Sequence, residues 1–305
     1  MTESLREMAN NDWHSHFQRL EGAYAPSTMR AYRNDVEAFV KWCAEVGIEA
    51  PFPARVATVC RFLADQGESK CTSTVKRRLY AIRKVHRLLG LPDPTYDEDI
   101  NLTLRRVRRS KRSRPQQAKG LTKAYLDAFI ASEPDTPTGL RNRTMMSLGY
   151  DLLTRRSELV ALRDDDFEPA DNGTYRFLIR RSKSDPFGFG RLAFCSTRSA
   201  DLLEAWLDWR GSKTSWLFCP IYQNVPIDRG LSTTTLKRVI KSAAARCGEP
   251  PEVVRTFTGH SMRIGAAQDL LCRGLDTVGI MRAGGWKSVN VLARYLEQAD
   301  HNPWE

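Results

Sequence analysis

Four side chains near the carboxy terminus are of types that can do chemistry together. His260 and Arg263 stand three residues apart in Thr256-Phe-Thr-Gly-His260-Ser-Met-Arg263. Trp286 follows Ala283-Gly-Gly, and Tyr295 closes Ala293-Arg-Tyr295. A buried core has little use for an imidazole, a guanidinium, an indole N–H and a phenol in one short segment. A site that holds a phosphate and attacks it with tyrosine uses every one. Charge gathers on the non-bridging oxygens during attack, and fixed cations and N–H donors lower that barrier. Arginine's planar fork suits a phosphate better than lysine's point charge. A phenol of ordinary pKa, about 10, needs nearby cations or a base to become a nucleophile.

The surrounding pattern supplies elements to position them. Met262, Ile264, Ala267, Leu270 and Leu271 recur at helical spacing and predict a helix over about 261–272, with Gly274 as its stop. His260 and Arg263 then lie one turn apart. A second run over about 277–283 is broken by two glycines before Trp286. Val289, Val291 and Leu292 lead on to Tyr295. Upstream, Arg155 and Glu158 stand at i,i+3 in Leu153-Thr-Arg-Arg-Ser-Glu-Leu159, with Leu159 and Leu162 facing a core. A hairpin is predicted from 174–181 and 191–195. Tyr175, Phe177 and Ile179 alternate along one strand, and Leu192 and Phe194 along the other. Lys183 sits at the mouth of its turn, with Arg180, Arg181 and Arg191 close by. Each residue alone has an ordinary reading: a packed tyrosine, a core tryptophan, a capping histidine, a solvated lysine, an exposed ion pair. Together and in this order they point to one site.

G-H-S-x-R, A-G-G-W and R-Y, preceded by R-x-S-E-L and the lysine-bearing I-R-R-S-K, resemble the signature of the tyrosine site-specific recombinases, the phage integrase family. The resemblance spans about residues 25 to 298. It implies a mainly α fold with a small antiparallel β-sheet, arranged as a two-domain C-shaped clamp. A helical core-binding domain (23–111) follows a tail (1–22). A linker (112–120) leads to a mixed α/β catalytic domain (121–305). It implies that Arg155 and Arg263 clamp the scissile phosphate, with His260 and the Trp286 indole completing the cage. Tyr295 is the implied nucleophile, His260 the base, Lys183 the general acid and Glu158 a supporting residue. No metal and no cofactor are implied. The partners implied are double-stranded DNA and further copies of the chain, four protomers on two sites. Arg30, Arg77, Thr234 and Lys237 match groove-facing positions. A type IB topoisomerase-like relaxing enzyme uses a similar residue set, and a non-catalytic DNA-binding protein could keep the same shape. The amino-terminal half and the intact residue set favour the recombinase.

Composition agrees with a polyanionic partner. Lys and Arg number 47 against 36 Asp and Glu, a formal charge of +11. Cations that neutralise phosphates release counterions on binding. The predicted helix over 73–89 carries Val75, Leu79, Ile82, Val85 and Leu89 on one face. Lys76, Arg77, Arg78, Arg83, Lys84 and Arg87 cover the rest. Leu104 opens a stretch of arginines and lysines with no acid as far as Lys119, read as a basic linker between two basic domains, which suggests a clamp around a duplex; the bland alternative is a disordered arm. Ser27 is the expected cap of a helix beginning near Pro26, and Ser232 of a helix over 233–246. Seven cysteines without a C-x-x-C read as reduced thiols of a cytoplasmic, nucleoid-associated protein. Ten residues follow Tyr295, fewer than the docking tail expected from the resemblance. Trp304 anchoring a neighbour, another contact, or a shortened tail are all open.

Overall fold

The computed structural model describes residues 13–111, 117–180 and 188–300. The chain divides into two compact units, Met1–Pro115 and Gln116–Glu305. Among the described residues no helix is long and apolar enough to cross a membrane. All seven cysteines are free.

The first unit is helical: α1 (Trp13–Gln18), α2 (Pro26–Glu45), α3 (Val56–Ser69), α4 (Thr72–Leu88) and α5 (Glu98–Ser110). Ser27 is not the cap of α2. The helix begins one residue earlier, at Pro26, with Ala25 at the N-cap and no side-chain capping bond. Proline at the first position has its φ preset and no N–H to satisfy, so it starts the helix unaided. Aromatic rings knit the core, Phe39 meeting Phe62 at 5.0 Å and Phe52 at 5.6 Å between centroids. The stripe on α4 buries Val75, Leu79, Ile82 and Val85 as expected, and His86 with them. The Ala54 N–H donates to His86 Nε2 at 2.9 Å, so Nδ1 carries the proton and donates to the Ile82 carbonyl at 2.9 Å. The ring is satisfied while neutral, and burial pushes its pKa down.

The basic stretch from Leu104 is helical at its start. It forms the last turns of α5, an element the sequence reading did not foresee there. Asp97 caps this helix by accepting from the Asp99 N–H at 2.9 Å. Ile100, Thr103 and Val107 turn inward, and Arg105, Arg106, Arg108 and Arg109 are exposed. Of the expected linker, residues 112–116 lie outside the described residues.

The second unit begins with α6 (Lys123–Ala131), α7 (Pro137–Asp151) and the single turn α8 (Arg156–Leu159). A three-stranded antiparallel sheet follows in the order β1 (Phe167–Pro169), β2 (Tyr175–Ile179), β3 (Arg191–Phe194). The hairpin is present, with a first strand that the sequence reading lacked. The alternation of Leu192 and Phe194 does not mark the core face. Phe177 pairs with Ala193, which is buried, whereas Leu192 and Phe194 are 54% and 60% exposed. The register puts Leu192 opposite Leu178 on the outer face, because side chains on a strand alternate sides. Next come α9 (Thr197–Arg210), a small hairpin of β4 (Ile221–Tyr222) and β5 (Val225–Pro226), and α10 (Thr233–Arg246). Ser232 caps α10 as expected, accepting from the Thr235 N–H.

The chain then closes with α11 (Pro251–Thr256), α12 (Ser261–Cys272), α13 (Thr277–Gly284) and α14 (Val289–Leu296). From Ser261 to Gln268 every residue of α12 is buried, polar ones included. A helix buried on all sides belongs to the centre of its core. The incoming segment at 119–123 is laced onto it. Lys119 N–H donates to the Thr256 carbonyl, Leu121 N–H to the Ser261 carbonyl and Lys123 N–H to the Asp269 carboxylate. At Gly265 the approach is backbone on backbone, and a Cβ there would sit 2.0 Å from the Leu121 oxygen. Gly265→Ala is therefore expected to destabilise the second unit by about 1–3 kcal/mol through forced separation of these segments. Urea denaturation of the single variant measures it; an unchanged midpoint would show that the segment can lift from α12 freely.

Candidate active site

The site is built from helix ends. At the end of α7, Leu153 takes a left-handed conformation, φ 47°, rare for a branched residue. Its carbonyl accepts from both Arg263 Nη1 and Arg191 Nη2. Two residues on, Arg155 is the N-cap of α8. Its backbone N–H donates to Glu158 Oε2 at 2.9 Å and its Nη1 to Oε1 at 2.6 Å. Glu158 is buried, so one carboxylate both caps the turn and orients the guanidinium. The i,i+3 pair is thus no exposed ornament.

Arg263, one turn into α12, is 0% exposed. Its guanidinium carbon lies 3.8 Å from the centre of the Trp286 ring, a cation–π contact. Nε and Nη2 have no hydrogen-bond partner among the described residues. Its pKa is lowered to about 10, first by burial and then by the nearby Arg155 charge. Glu158 and Tyr295 act in the opposite sense. The Trp286 ring in turn meets the Tyr295 ring edge-on, 5.3 Å between centroids at 72°. Guanidinium, indole and phenol therefore form a continuous stack. Gln268 of α12 donates to the Tyr295 carbonyl at 3.2 Å and steadies α14.

Trp286 owes its position to the glycines before it. A Cβ on Gly284 would lie 1.8 Å from the indole ring, and Gly285 ends α13 with φ 68°. Only glycine combines that close approach with that conformation. His260 is the N-cap of α12, its N–H donating to Thr258 Oγ1 at 3.1 Å, while Thr258 N–H donates to Ser261 Oγ. The imidazole is half-buried, and its Nδ1 has no hydrogen-bond partner among the described residues. Its pKa is lowered first by burial and then by Arg156, Arg263 and Arg155, with Glu158 opposing.

Arg155, Glu158, His260, Arg263, Trp286 and Tyr295 thus come from α8, α12, the turn after α13, and α14 to one cluster. Lys183 lies outside the described residues. Thr234 and Lys237 are exposed on α10. In the first unit, Arg30 is exposed on α2. Arg77 on α4 is half-exposed, but it donates to Asp35 through Nε at 2.6 Å and Nη2 at 3.1 Å. Sequence reasoning gave no role to Leu153, Gln268, Arg156 or Arg191. Their side chains or carbonyls act through contacts distant in the chain, and no local pattern marks them.

Comparison with known proteins shows the family. The phage integrase family model matches residues 119–302, and that of the phage integrase N-terminal SAM-like domain matches 14–90. The tyrosine recombinase XerD of Lacticaseibacillus casei is 30% identical over 291 residues, covering 94% of this chain and 93% of its own. The recombinase Cre of Escherichia phage P1 is 26% identical over 298 residues, covering 91% and 86%. Among solved structures, the XerH site-specific recombinase in a post-cleavage complex with a palindromic difH substrate superposes with a TM-score of 0.66. It is 19% identical and covers 90% of this chain and 77% of its own. A lambda integrase dimer bound to a COC′ core site superposes with a TM-score of 0.63 at 15% identity, covering 99% and 83%. The chain belongs to the phage integrase family. It is a tyrosine recombinase, an enzyme of site-specific recombination that cleaves and rejoins DNA.

The His260 environment sets a pH dependence. Its folded pKa lies below the ordinary 6.5, so between 6.5 and that lower value the unfolded chain binds a proton that the fold refuses. Its contribution to stability is full above 6.5 and is lost as pH falls through that window. His260→Asn is expected to flatten the acid-side fall in the urea midpoint there; an unaltered slope would mean that the ring is not held neutral.

Proposed function

We propose that Tyr295 attacks the scissile phosphodiester of a DNA strand and that the six clustered residues, with Lys183, carry the reaction. The phenolic oxygen forms a bond to phosphorus as the bond from phosphorus to the 5′-oxygen breaks. The phenol proton passes to His260, and Lys183 protonates the departing 5′-oxygen. The product is a 3′-phosphotyrosyl link with a free 5′-hydroxyl. Reversal with a new 5′-hydroxyl rejoins the strand and needs no ATP, because the ester bond is conserved. Arg155 and Arg263 clamp the non-bridging oxygens, with the Trp286 N–H and His260 beside them, while Glu158 orients Arg155. No metal is required, because the guanidinium pair supplies the positive charge.

The observation that carries this reading is the state of Arg263. A wholly buried guanidinium with two nitrogens unpartnered among the described residues, stacked on an indole that touches the tyrosine ring, is costly unless an oxyanion completes it. A phosphate does so while lying beside the phenol. Helix α10, with Thr234 and Lys237 outward, enters the major groove. Arg30 and Arg77 serve the same duplex from the helical core-binding domain (23–111), Arg77 first leaving Asp35. Two protomers occupy each inverted-repeat site, and four exchange strands through a Holliday junction.

A duplex site selected by the protein from random DNA, nicked beside the cleavage point to trap the product, tests the scheme. Wild-type protein is expected to form a denaturant-resistant adduct mapping to Tyr295. Tyr295→Phe should bind with unchanged affinity and form none, and an adduct in that variant would remove Tyr295 as nucleophile. The adduct should also form at an undiminished rate in excess EDTA. A strict requirement for added magnesium would overturn the metal-free scheme.

A further inference from the structure

Arg191, the first residue of β3, has no part in the scheme above, yet its half-buried guanidinium is held among the helix ends beside the site. Nη1 donates to the Ala283 carbonyl at 2.8 Å. Nη2 donates to the Leu152 carbonyl at 2.6 Å and to the Leu153 carbonyl at 3.3 Å. These three oxygens are the ends of two helices. Leu152 is the C-cap of α7 and Ala283 lies in the last turn of α13. Helix C-termini expose carbonyls without intrahelical partners and carry partial negative charge, so a cation between two of them satisfies both. The path of the side chain is built for it. A Cβ on Gly285 would lie 2.8 Å from Arg191 Cδ, so the glycine that seats Trp286 also clears room for the Arg191 stem.

Resting on the reading of the site given above, we propose that Arg191 is a positioning residue for strand cleavage, clasping the ends of α7 and α13 to β3. Each clasped segment leads straight into a reacting group. Leu153 precedes Arg155 by two residues and shares its carbonyl with Arg263. Ala283 precedes Trp286 by three residues. Arg191 itself stands eight residues after Lys183. One guanidinium therefore sets the segments leading to Arg155 and Trp286 in a common frame without touching the phosphate. Lysine cannot replace it, since a single nitrogen does not span both helix ends.

The test uses the full-length protein and the nicked, selected duplex described above, with Arg191→Met and Arg191→Lys beside wild type. Misplacing a catalytic group by an ångström costs on the order of 100-fold in rate. Single-turnover cleavage at saturating protein is expected to fall by about that much in both variants. The Kd for the uncut site should stay within about threefold, and the circular dichroism spectrum should be unchanged. Cleavage at the wild-type rate by either variant overturns the proposal. So does a loss of binding as large as the loss of rate, which would make Arg191 a phosphate contact. If Arg191→Met does not fold, Arg191→Lys decides by the same criteria; if neither folds, Arg191 is a core strut and the proposal falls. Failure of the wild-type protein to form its adduct at Tyr295 would instead strike the reading of the site, and is scored in the wild-type reaction alone.

Discussion

A fully buried guanidinium is among the most demanding groups a fold can hold. Arg263 carries its charge into the middle of the second unit with one carbonyl, one aromatic face and a neighbour's carboxylate to support it. Burial on this scale is tolerable only when the remaining donors meet an acceptor. The rest of the site can be understood as what keeps this arginine in place. Leu153 accepts strain in its backbone to offer the carbonyl. Two glycines are spent to bring the indole beneath the guanidinium. Helix α12 is buried over its first two turns, so the arginine cannot swing out to solvent.

The same constraint explains why helix ends gather here. The C-termini of α7 and α13 present carbonyls to Arg191, and Arg263 shares the Leu153 oxygen just beyond α7. The N-terminus of α12 begins at His260. A helix N-terminus disfavours a second positive charge. Together with burial and three arginines, this keeps the imidazole neutral, the form able to accept a proton from a phenol. Glu158 is the counterweight: a single buried carboxylate limits the repulsion among Arg155, Arg191 and Arg263 without cancelling it. Three guanidinium groups against one carboxylate leave the cluster with net positive charge.

In the first unit, charge and availability part company. The outer side of α4 is strongly basic, yet most of its cations are held by neighbours. Arg77 is paired with Asp35, Arg83 donates to Thr95, Lys84 to the Tyr24 hydroxyl and Arg87 to the Tyr96 hydroxyl. An arginine that already has a carboxylate must exchange one partner for another to meet a phosphate, so it gains less from a polyanion than a count of charges suggests. Lys76, over the half-exposed Tyr80 ring, keeps its ammonium at the surface.

What was legible in the sequence was whatever short spacing controls. Helix α12 was readable from Met262, Ile264, Ala267 and Leu270, the stop after α13 from two glycines, and the order of the reactive residues from their motifs. The stripe on α4 was readable because a half-buried helix must repeat its apolar positions every three or four residues. The start of α2 was misjudged, because a proline can replace a capping side chain. The outward face of Leu192 and Phe194 was hidden, because alternation fixes only that two faces differ; strand register alone says which of them meets the core. Residue types and order thus determined the chemistry available to this chain. Only the tertiary structure decided that Leu153 would turn its carbonyl to two arginines, that Arg191 would bridge two helix ends and that Arg263 would be sealed against Trp286. Those contacts join residues up to 110 positions apart, and contacts of that span depend on how helices pack, which no local pattern encodes.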